Sequence, residues 1–561
     1  MVHHRLHAPL IAAAAACTLL VHLGGPALWD DDEPKNAACS LAMLDSGDWI
    51  VPTFNGRLRV EKPPLVNWVQ LAGFAACGRN ETGARIGSAL LTIGTCLLTW
   101  RIGCLLLDPA AGLVGGLAMA TCIWTAVGGR AATPDAPLAF CTTLALWLCA
   151  RGCAGAAPGL SRVDAAAVGA ACGLAALAKG PVGVALPVVA FLLFAGWRRL
   201  AGDVPTFASA VGGLRLPAML AAALAVALPW YLWVGVRTGG AWPRGFFLVH
   251  NVGRFMAPME GHSGSFLYYP AVVAVGLFPW SIVLAAMVAH AVTVLLPLSK
   301  HPGRRGAALL ACWAAAWIGI FSCSGTKLPG YVWPAYPALA LLTGLLLVDW
   351  ARDALPFTAA WRDPARGRAV VMRVAWATLG TGGVALAIGL VVAARLRAPG
   401  AEWLGLCGLV PIAAAWAAWR CDAAGRPRRA IAVLTGAACL LVGLLAGVAT
   451  DRFSRAQGMR ESVARLAAED GPWACFWNVP PTVVFYARST VAKLETAADV
   501  ARHLASHPHA RVVIDSRHEA IACASLPPDC TVLARIPTLD DRHYVVFGPP
   551  LRENAPLAVV P

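Results

Sequence analysis

Apolar runs of roughly 20 residues, each long enough to cross the hydrocarbon of a bilayer, recur along most of this chain. The first is "PLIAAAAACTLLVHLGGPAL" and the last "RAIAVLTGAACLLVGLLAGVA". A soluble protein with apolar core helices would keep a polar face on each of them, and these runs have none. The chain is therefore read as a polytopic membrane protein. Its spans fall near 8–27, 85–107, 110–128, 136–154, 164–178, 180–197, 213–236, 268–297, 306–323, 328–349, 370–396, 402–420 and 430–450, about thirteen crossings. The opening "MVHHRLHAP" has the make-up of a signal-peptide n-region, but so many spans follow that an uncleaved first helix is expected.

In such a chain the formal charge of +15 matters by location. With the N-terminus in the cytoplasm, the inside loops hold Arg151 and Arg162, then Arg198 and Arg199, then Lys300, Arg304 and Arg305. Arg352, Arg362, Arg366 and Arg368 follow, and finally Arg420, Arg426, Arg428 and Arg429. Every strongly basic short loop falls on one side, as the positive-inside rule requires. The surplus is thus a topology signal and not a nucleic-acid footprint. Residues 28–84 become the first outward segment, 237–267 a second outward loop, and the chain after 450 is outward as well. Most of the 18 cysteines lie in apolar runs, where thiols act as small hydrophobes. No C-x-x-C pair or Cys/His tract suggests zinc or iron–sulfur, although Cys523 and Cys530 would suit a disulfide in an oxidising compartment. The glycine loops and nucleophile elbows of soluble nucleotide or hydrolase chemistry are missing.

The unusual residues gather on the outward side. "WDDDEPKNAACSLAMLDSGDW" and "NGRLRVEKPP" lie in the first loop, "GRAATPDAP" and "AKGP" at outer span ends, "RGFFLVHNVGRFMAPMEGHSGSF" in the second loop and "SGTKLPGY" at a further outer turn. They bring Asp32, Glu61, Lys62, Asp135, Lys179, His250, Arg254 and Lys327 to one membrane surface, where ionisable groups are costly and usually functional. Each has a plainer reading. Asp32 and Asp135 precede prolines and suit helix caps, Lys179 suits a snorkelling helix end, and Glu61 with Lys62 a solvated pair. Together they suit chemistry on a lipid-borne phosphate. Lys and Arg neutralise phosphate oxygens, a carboxylate takes a proton from an attacking hydroxyl, and a Glu/His pair holds a divalent metal.

"DDEPKNAACSLAMLDSGDWIVPTFNGRLRVEKPPLVNW", "ATPDAP", "LAALAKGPVG", "ALPWYLWV", "FFLVHNVGRF", "GLFPWSIVL" and "SGTKLPGYVWPAYPALALL" stand in that order. In this the chain resembles the bacterial GT-C glycosyltransferases related to the 4-amino-4-deoxy-L-arabinose lipid A transferase, a group that includes the dolichyl-phosphate-mannose–protein mannosyltransferases. The resemblance covers roughly 8–345. It implies an all-α polytopic membrane domain of the GT-C type over 1–450, with periplasmic surface helices and an outward active site at the cell inner membrane. It also implies transfer of a sugar from a polyprenyl-phosphate donor to a lipid or protein acceptor. Carried over by motif, Asp32 and Asp135 match active-site aspartates. Glu61 and His250 match ligands of a divalent metal ion, and Lys62, Lys179 and Arg254 match phosphate-binding cations, with Lys327 grouped beside them. Four positions depart from the pattern: Pro34 and Lys35 after the acidic pair, Val60 before Glu61, and Asn251 after His250.

After residue 450 the character changes. "ESVARLAAED" and "TAADVARHLAS" read as helices, and "WACFWNV", "TVVFYA", "ARVVIDS", "CTVLARI" and "HYVVFGP" as strands. A small C-terminal α/β periplasmic domain over 451–561 is expected, with no catalytic residue assigned to it. A transporter or flippase of an anionic lipid is the rival from another class. It would favour internal repeats and charges at the membrane middle, whereas here they gather at one surface.

Overall fold

Inside a bilayer no water pairs with a peptide group, so a crossing segment has to satisfy its own backbone, and the apolar runs are helical throughout. The structure, a computed structural model, describes residues 5–550 apart from 30, 154–158, 258–262, 298, 361–362, 525 and 539–541. Arg362 and part of the second outward loop lie outside the described residues. Among the described residues, eight helices are long and apolar enough to cross a membrane: Glu81–Leu106, Val182–Leu200, Phe207–Arg237, Arg304–Ser322, Pro329–Ala351, Pro364–Arg397, Glu402–Ala423 and Pro427–Gln457. Two bent pairs raise the number to ten, short of the thirteen expected. The other expected spans are the 13-residue helix His7–Leu19 and the helices Asp135–Cys153 and Arg162–Lys179.

The bent pairs bond to each other. Pro109–Thr121 and Ile123–Arg130 meet at 59°, and Tyr268–Gly276 and Trp280–Leu295 at 120°. At the breaks the Ile123 amide donates to the Phe278 carbonyl at 3.1 Å, and Trp280 Nε1 donates to Thr121 Oγ1 at 3.0 Å. The first bond pairs backbone groups freed at the two breaks, and the second ties their side chains together.

The two membrane ends sort as the arginines require. At one end Arg352 pairs with Asp108 at 3.0 Å, Arg305 with Asp203 at 2.7 Å, and His301 with Asp349 at 3.0 Å. At the other, Arg237 pairs with Asp48 at 2.9 Å and Arg460 with Glu81 at 3.3 Å.

The outward segment 28–84 is a platform. Helix Asp32–Ser46 ends at Gly47, whose φ is 69°, and helix Leu65–Cys77 packs beside it. Between them strands β1 (Thr53–Phe54) and β2 (Arg57–Leu58) form a two-residue hairpin. Asn55 and Gly56 take φ of 50° and 73°, the left-handed pair that twists a tight hairpin correctly. The second loop closes over this platform: Trp242 Nε1 donates to the Arg59 carbonyl at 2.8 Å, and Gly325 N donates to the Phe255 carbonyl at 2.8 Å. A Cβ at Gly325 would meet the Ala257 backbone at 2.9 Å, so the turn that carries Lys327 needs glycine there.

The last crossing runs on to Gln457 and stops at Gly458, φ 62°. The boundary expected at 450 falls inside this continuous helix. Beyond it, β3 (Trp473–Phe476), β4 (Val491–Leu494), β5 (Arg511–Asp515), β6 (Thr531–Pro537) and β7 (His543–Gly548) form one sheet in the order β4-β3-β5-β7-β6. β3 is parallel to both β4 and β5, while β7 is antiparallel to β5 and β6. The expected strand "TVVFYA" is instead the helix Pro481–Ala487. Its β-branched and aromatic residues favour a strand locally, but Pro481 opens a helix well and tertiary packing decides. Val483, Phe485 and Tyr486 bury in one cluster with Ala37 and Leu41 of the platform. Cys523 and Cys530 are free thiols.

Candidate active site

Asp32 stands in the first turn of its helix, after Asp31. The capping role does not materialise: its carboxylate makes no hydrogen bond among the described residues. Lys62 foremost, then Arg59, Lys179 and Arg254 hold it below the usual aspartate range, against burial that would raise it. Its neighbour Glu33 does the structural work. The Glu33 carboxylate takes Arg85 Nη2 at 2.6 Å and Nε at 2.8 Å, and accepts the Trp29 and Ala132 amides at 2.7 Å each. That buried fork ties helix Asp32–Ser46 to the span at Arg85 and to the turn before Asp135, which is what aims Asp32.

Lys62 likewise has no hydrogen bond or ion pair among the described residues. Burial pushes its ammonium below the usual lysine value, Asp32 pulls it back, and Lys179 adds to the fall. Lys179 ends its helix bonded to Asp135 and lies 4.8 Å over the Tyr331 ring. Gly330 lies against Asp135: a Cβ there would sit 2.8 Å from the Asp135 carboxylate.

Two cavities meet at these residues. The larger, about 530 Å³, takes in Asp32, Lys62, Asp135 and Lys179, and one wall is apolar, made by Trp124, Val127, Val442 and Leu445. The smaller, about 100 Å³, is lined by Glu61, His250, Arg254 and again Lys62 and Lys179. The structure thus brings together seven of the eight expected residues. Lys327 is the exception. It is 5% exposed, and its ammonium donates to the carbonyls of Phe321, Ser322 and Ser324 at 3.4, 2.8 and 3.0 Å. It closes the end of helix Arg304–Ser322 and lines neither cavity.

Glu61 and His250 are the two residues that would hold a divalent ion, and Glu61 Oε2 is buried without a hydrogen bond among the described residues. Glu61 and His250 share the small cavity, but the Glu61 carboxylate lies 2.9 Å from Lys35 and 3.5 Å from Arg59. Burial would raise its carboxyl, and Lys35 foremost, with Arg59, outweighs that and holds it below the usual range. No group of three His, Cys, Asp or Glu is placed to hold an ion among the described residues. Reading motifs in the sequence missed Lys35, Arg59, Tyr331 and the Glu33–Arg85 fork. Arg85 carried a usable signal, since an arginine just inside an apolar span needs a partner.

The family described as dolichyl-phosphate-mannose-protein mannosyltransferase matches residues 61–233. Undecaprenyl phosphate-alpha-4-amino-4-deoxy-L-arabinose arabinosyl transferases are similar over about three-fifths of the chain. That of Edwardsiella ictaluri is 31% identical over 336 residues, 58% of this chain and 56% of the relative. That of Pseudomonas aeruginosa is 32% identical over 345, covering 61% and 60%. An uncharacterized protein of Aquifex aeolicus is 30% identical over 317 residues, 67% of its own length. Over these stretches the chain is similar to GT-C membrane glycosyltransferases. In fold, the likeness extends to nearly the whole molecule. ArnT from Cupriavidus metallidurans bound to undecaprenyl phosphate superposes with a TM-score of 0.73 at 23% identity, covering 96% of this chain and 97% of that one. That likeness in fold includes the C-terminal sheet, whereas in aligned sequence the chain spans only 56–60% of the length of the arabinosyl transferases just described.

Proposed function

We propose that this protein transfers a sugar from a polyprenyl-phosphate carrier to an envelope acceptor of the lipid A type, at the periplasmic face of a bacterial inner membrane. One observation carries the reading: an unbonded carboxylate, Asp32, and an unbonded ammonium, Lys62, face one cavity with an apolar wall. Burying two unspent charges costs several kcal/mol, a cost repaid when a charged substrate arrives.

The bond that breaks joins the anomeric carbon of the sugar to a phosphate oxygen. The electron pair leaves with the carrier phosphate, and Lys62 and Arg254 neutralise it. Lys179, held by Asp135, adds positive potential without being free to move. Asp32 orients the acceptor oxygen on the opposite side and takes its proton when the acceptor is a hydroxyl. The apolar wall suits the isoprenoid chain of the carrier. A divalent ion would be held by Glu61, whose Oε2 is buried without a hydrogen bond among the described residues, and by His250 in the same cavity, and would add positive charge beside the leaving phosphate. The names of the relatives favour a pentosyl donor of the 4-amino-4-deoxy-L-arabinose kind.

The test is transfer in proteoliposomes from undecaprenyl-phosphate-linked aminoarabinose to lipid A, read by mass spectrometry. Asp32→Asn keeps the shape of the side chain while removing its charge, and should leave a folded protein with transfer down by roughly 10²–10⁴. Full transfer in Asp32→Asn overturns the assignment. Movement of the donor across the bilayer without any transfer by the native protein would put transport in its place.

A further inference from the structure

Trp477 holds a backbone conformation that tryptophan rarely takes. Its φ is 69°, in the left-handed region where Cβ crowds the following carbonyl, and its indole is 56% exposed. Two backbone bonds impose this: Trp477 N donates to the Leu494 carbonyl at 2.8 Å, and Asn478 N to the Phe476 carbonyl at 2.9 Å. Strain of this kind collects at ligand sites, where the surroundings over-determine it. One face of the indole is covered by the His518 imidazole, with centroids 5.2 Å apart and planes 5° from parallel. His518 is steadied in turn by Phe476, edge-on at 6.1 Å. Its Nδ1 is buried without a hydrogen-bond partner among the described residues.

Both residues follow the carboxyl ends of adjacent parallel strands, Trp477 directly after β3 and His518 three residues after β5. From β3 the chain departs toward β4, and from β5 toward β6 and β7 on the other side. The two loops therefore flank a topological switch point, the place where open α/β sheets bind their ligands. The rim is polar. Arg517 forks onto Asp515 at 3.0 and 2.8 Å, Arg542 reaches the same carboxylate at 3.4 Å, and Asn478 is exposed.

We propose that Trp477 and His518 form a saccharide-binding platform on the C-terminal domain, separate from the membrane-surface cavity. A pyranose has one flat face of C–H groups, whose slightly positive hydrogens suit the electron-rich indole face, while its equatorial hydroxyls extend sideways to charged and amide groups. A peptide would add to the sheet edges at β4 or β6, not to strand ends. Val491 at the start of β4 is tied to the first outward loop. The platform lies at the other end of that strand, roughly 10 Å farther along it, a place for the part of an acceptor glycan beyond the reacting sugar. That last role rests on the proposed transfer; saccharide binding itself does not.

The test is a heat titration of the full-length protein in detergent with the water-soluble saccharide of fully deacylated lipopolysaccharide. Trp477→Gly removes the platform while relieving the left-handed backbone, so the fold is retained and its melting temperature does not fall. Binding should weaken about tenfold or more in Trp477→Gly and in His518→Ala. With lipid A carrying its core glycan as acceptor, KM should rise in both variants with kcat unchanged. Equal saccharide affinity in the native protein and Trp477→Gly, or no binding by the native protein, overturns the platform. If the native protein transfers no sugar, the proposed function falls while the titration still decides the platform.

Discussion

Lys62 is placed where its own charge is least stable, inside a cavity and beside Lys179 and Arg254. Such a residue trades stability for binding. Lys62→Met should therefore raise the melting free energy by about 1 kcal/mol and weaken binding of undecaprenyl phosphate roughly 10–100-fold, the worth of a charge-assisted phosphate contact. Thermal melting and lipid titration on the same preparation check both halves. The pH dependence follows from the same fields. Asp32 is depressed below 3.8, so its stabilising charge is present at neutral pH and lost only as pH falls through that lower value. Lys62 is depressed below 10.5, so the unfolded chain binds its proton more tightly, and stability contributed by this residue rises as pH climbs toward the free-lysine value. Transfer should thus decline on the alkaline side below pH 10.5 without parallel unfolding. In Lys62→Arg, which stays charged, that decline should move to higher pH.

At the scale of elements, the hairpin of the first loop joins the two halves of the molecule. Asn55 Nδ2 donates to the Val491 carbonyl and Asn55 Oδ1 accepts the Val491 amide, each at 2.8 Å. One amide side chain thus stands in for a neighbouring strand on the open edge of β4, which covers an edge that would otherwise offer unpaired groups. Asn55→Ala removes both bonds and a residue suited to φ of 50°. It should cost about 2 kcal/mol and speed protease cleavage near Gly458, where the long helix ends, as limited proteolysis followed by mass spectrometry would detect. The break at Cys122 was not legible as a break. The local sequence there is apolar enough for a straight span, whereas Pro279 beside Phe278 is a local helix breaker, and the two breaks bond each other.

At the scale of the whole molecule, the C-terminal domain buttresses the platform that presents Asp32. Ala37 and Leu41 share a buried cluster with Val463, Trp473 and Phe485, and the Leu28 amide donates to Tyr486 Oη at 2.8 Å. Removing 459–561 should leave a chain that still inserts, since every span precedes the cut, but one in which helix Asp32–Ser46 loses its cover. Transfer should be lost and the remaining protein should melt at lower temperature; native transfer by the truncated chain would show that the domain only decorates the site. The membrane class and the seven cavity residues were legible in the sequence, because hydropathy and motif order are local properties. Tertiary structure alone decided that Lys327 closes a helix and that Glu61 belongs to Lys35 and Arg59. It also decided that "TVVFYA" is a helix and that Asp32 and Lys62 are the two charges left unspent. Those are questions of which partner lies across the fold, and partners far apart in sequence, such as Glu33 and Arg85 or Asn55 and Val491, leave no periodic or local trace.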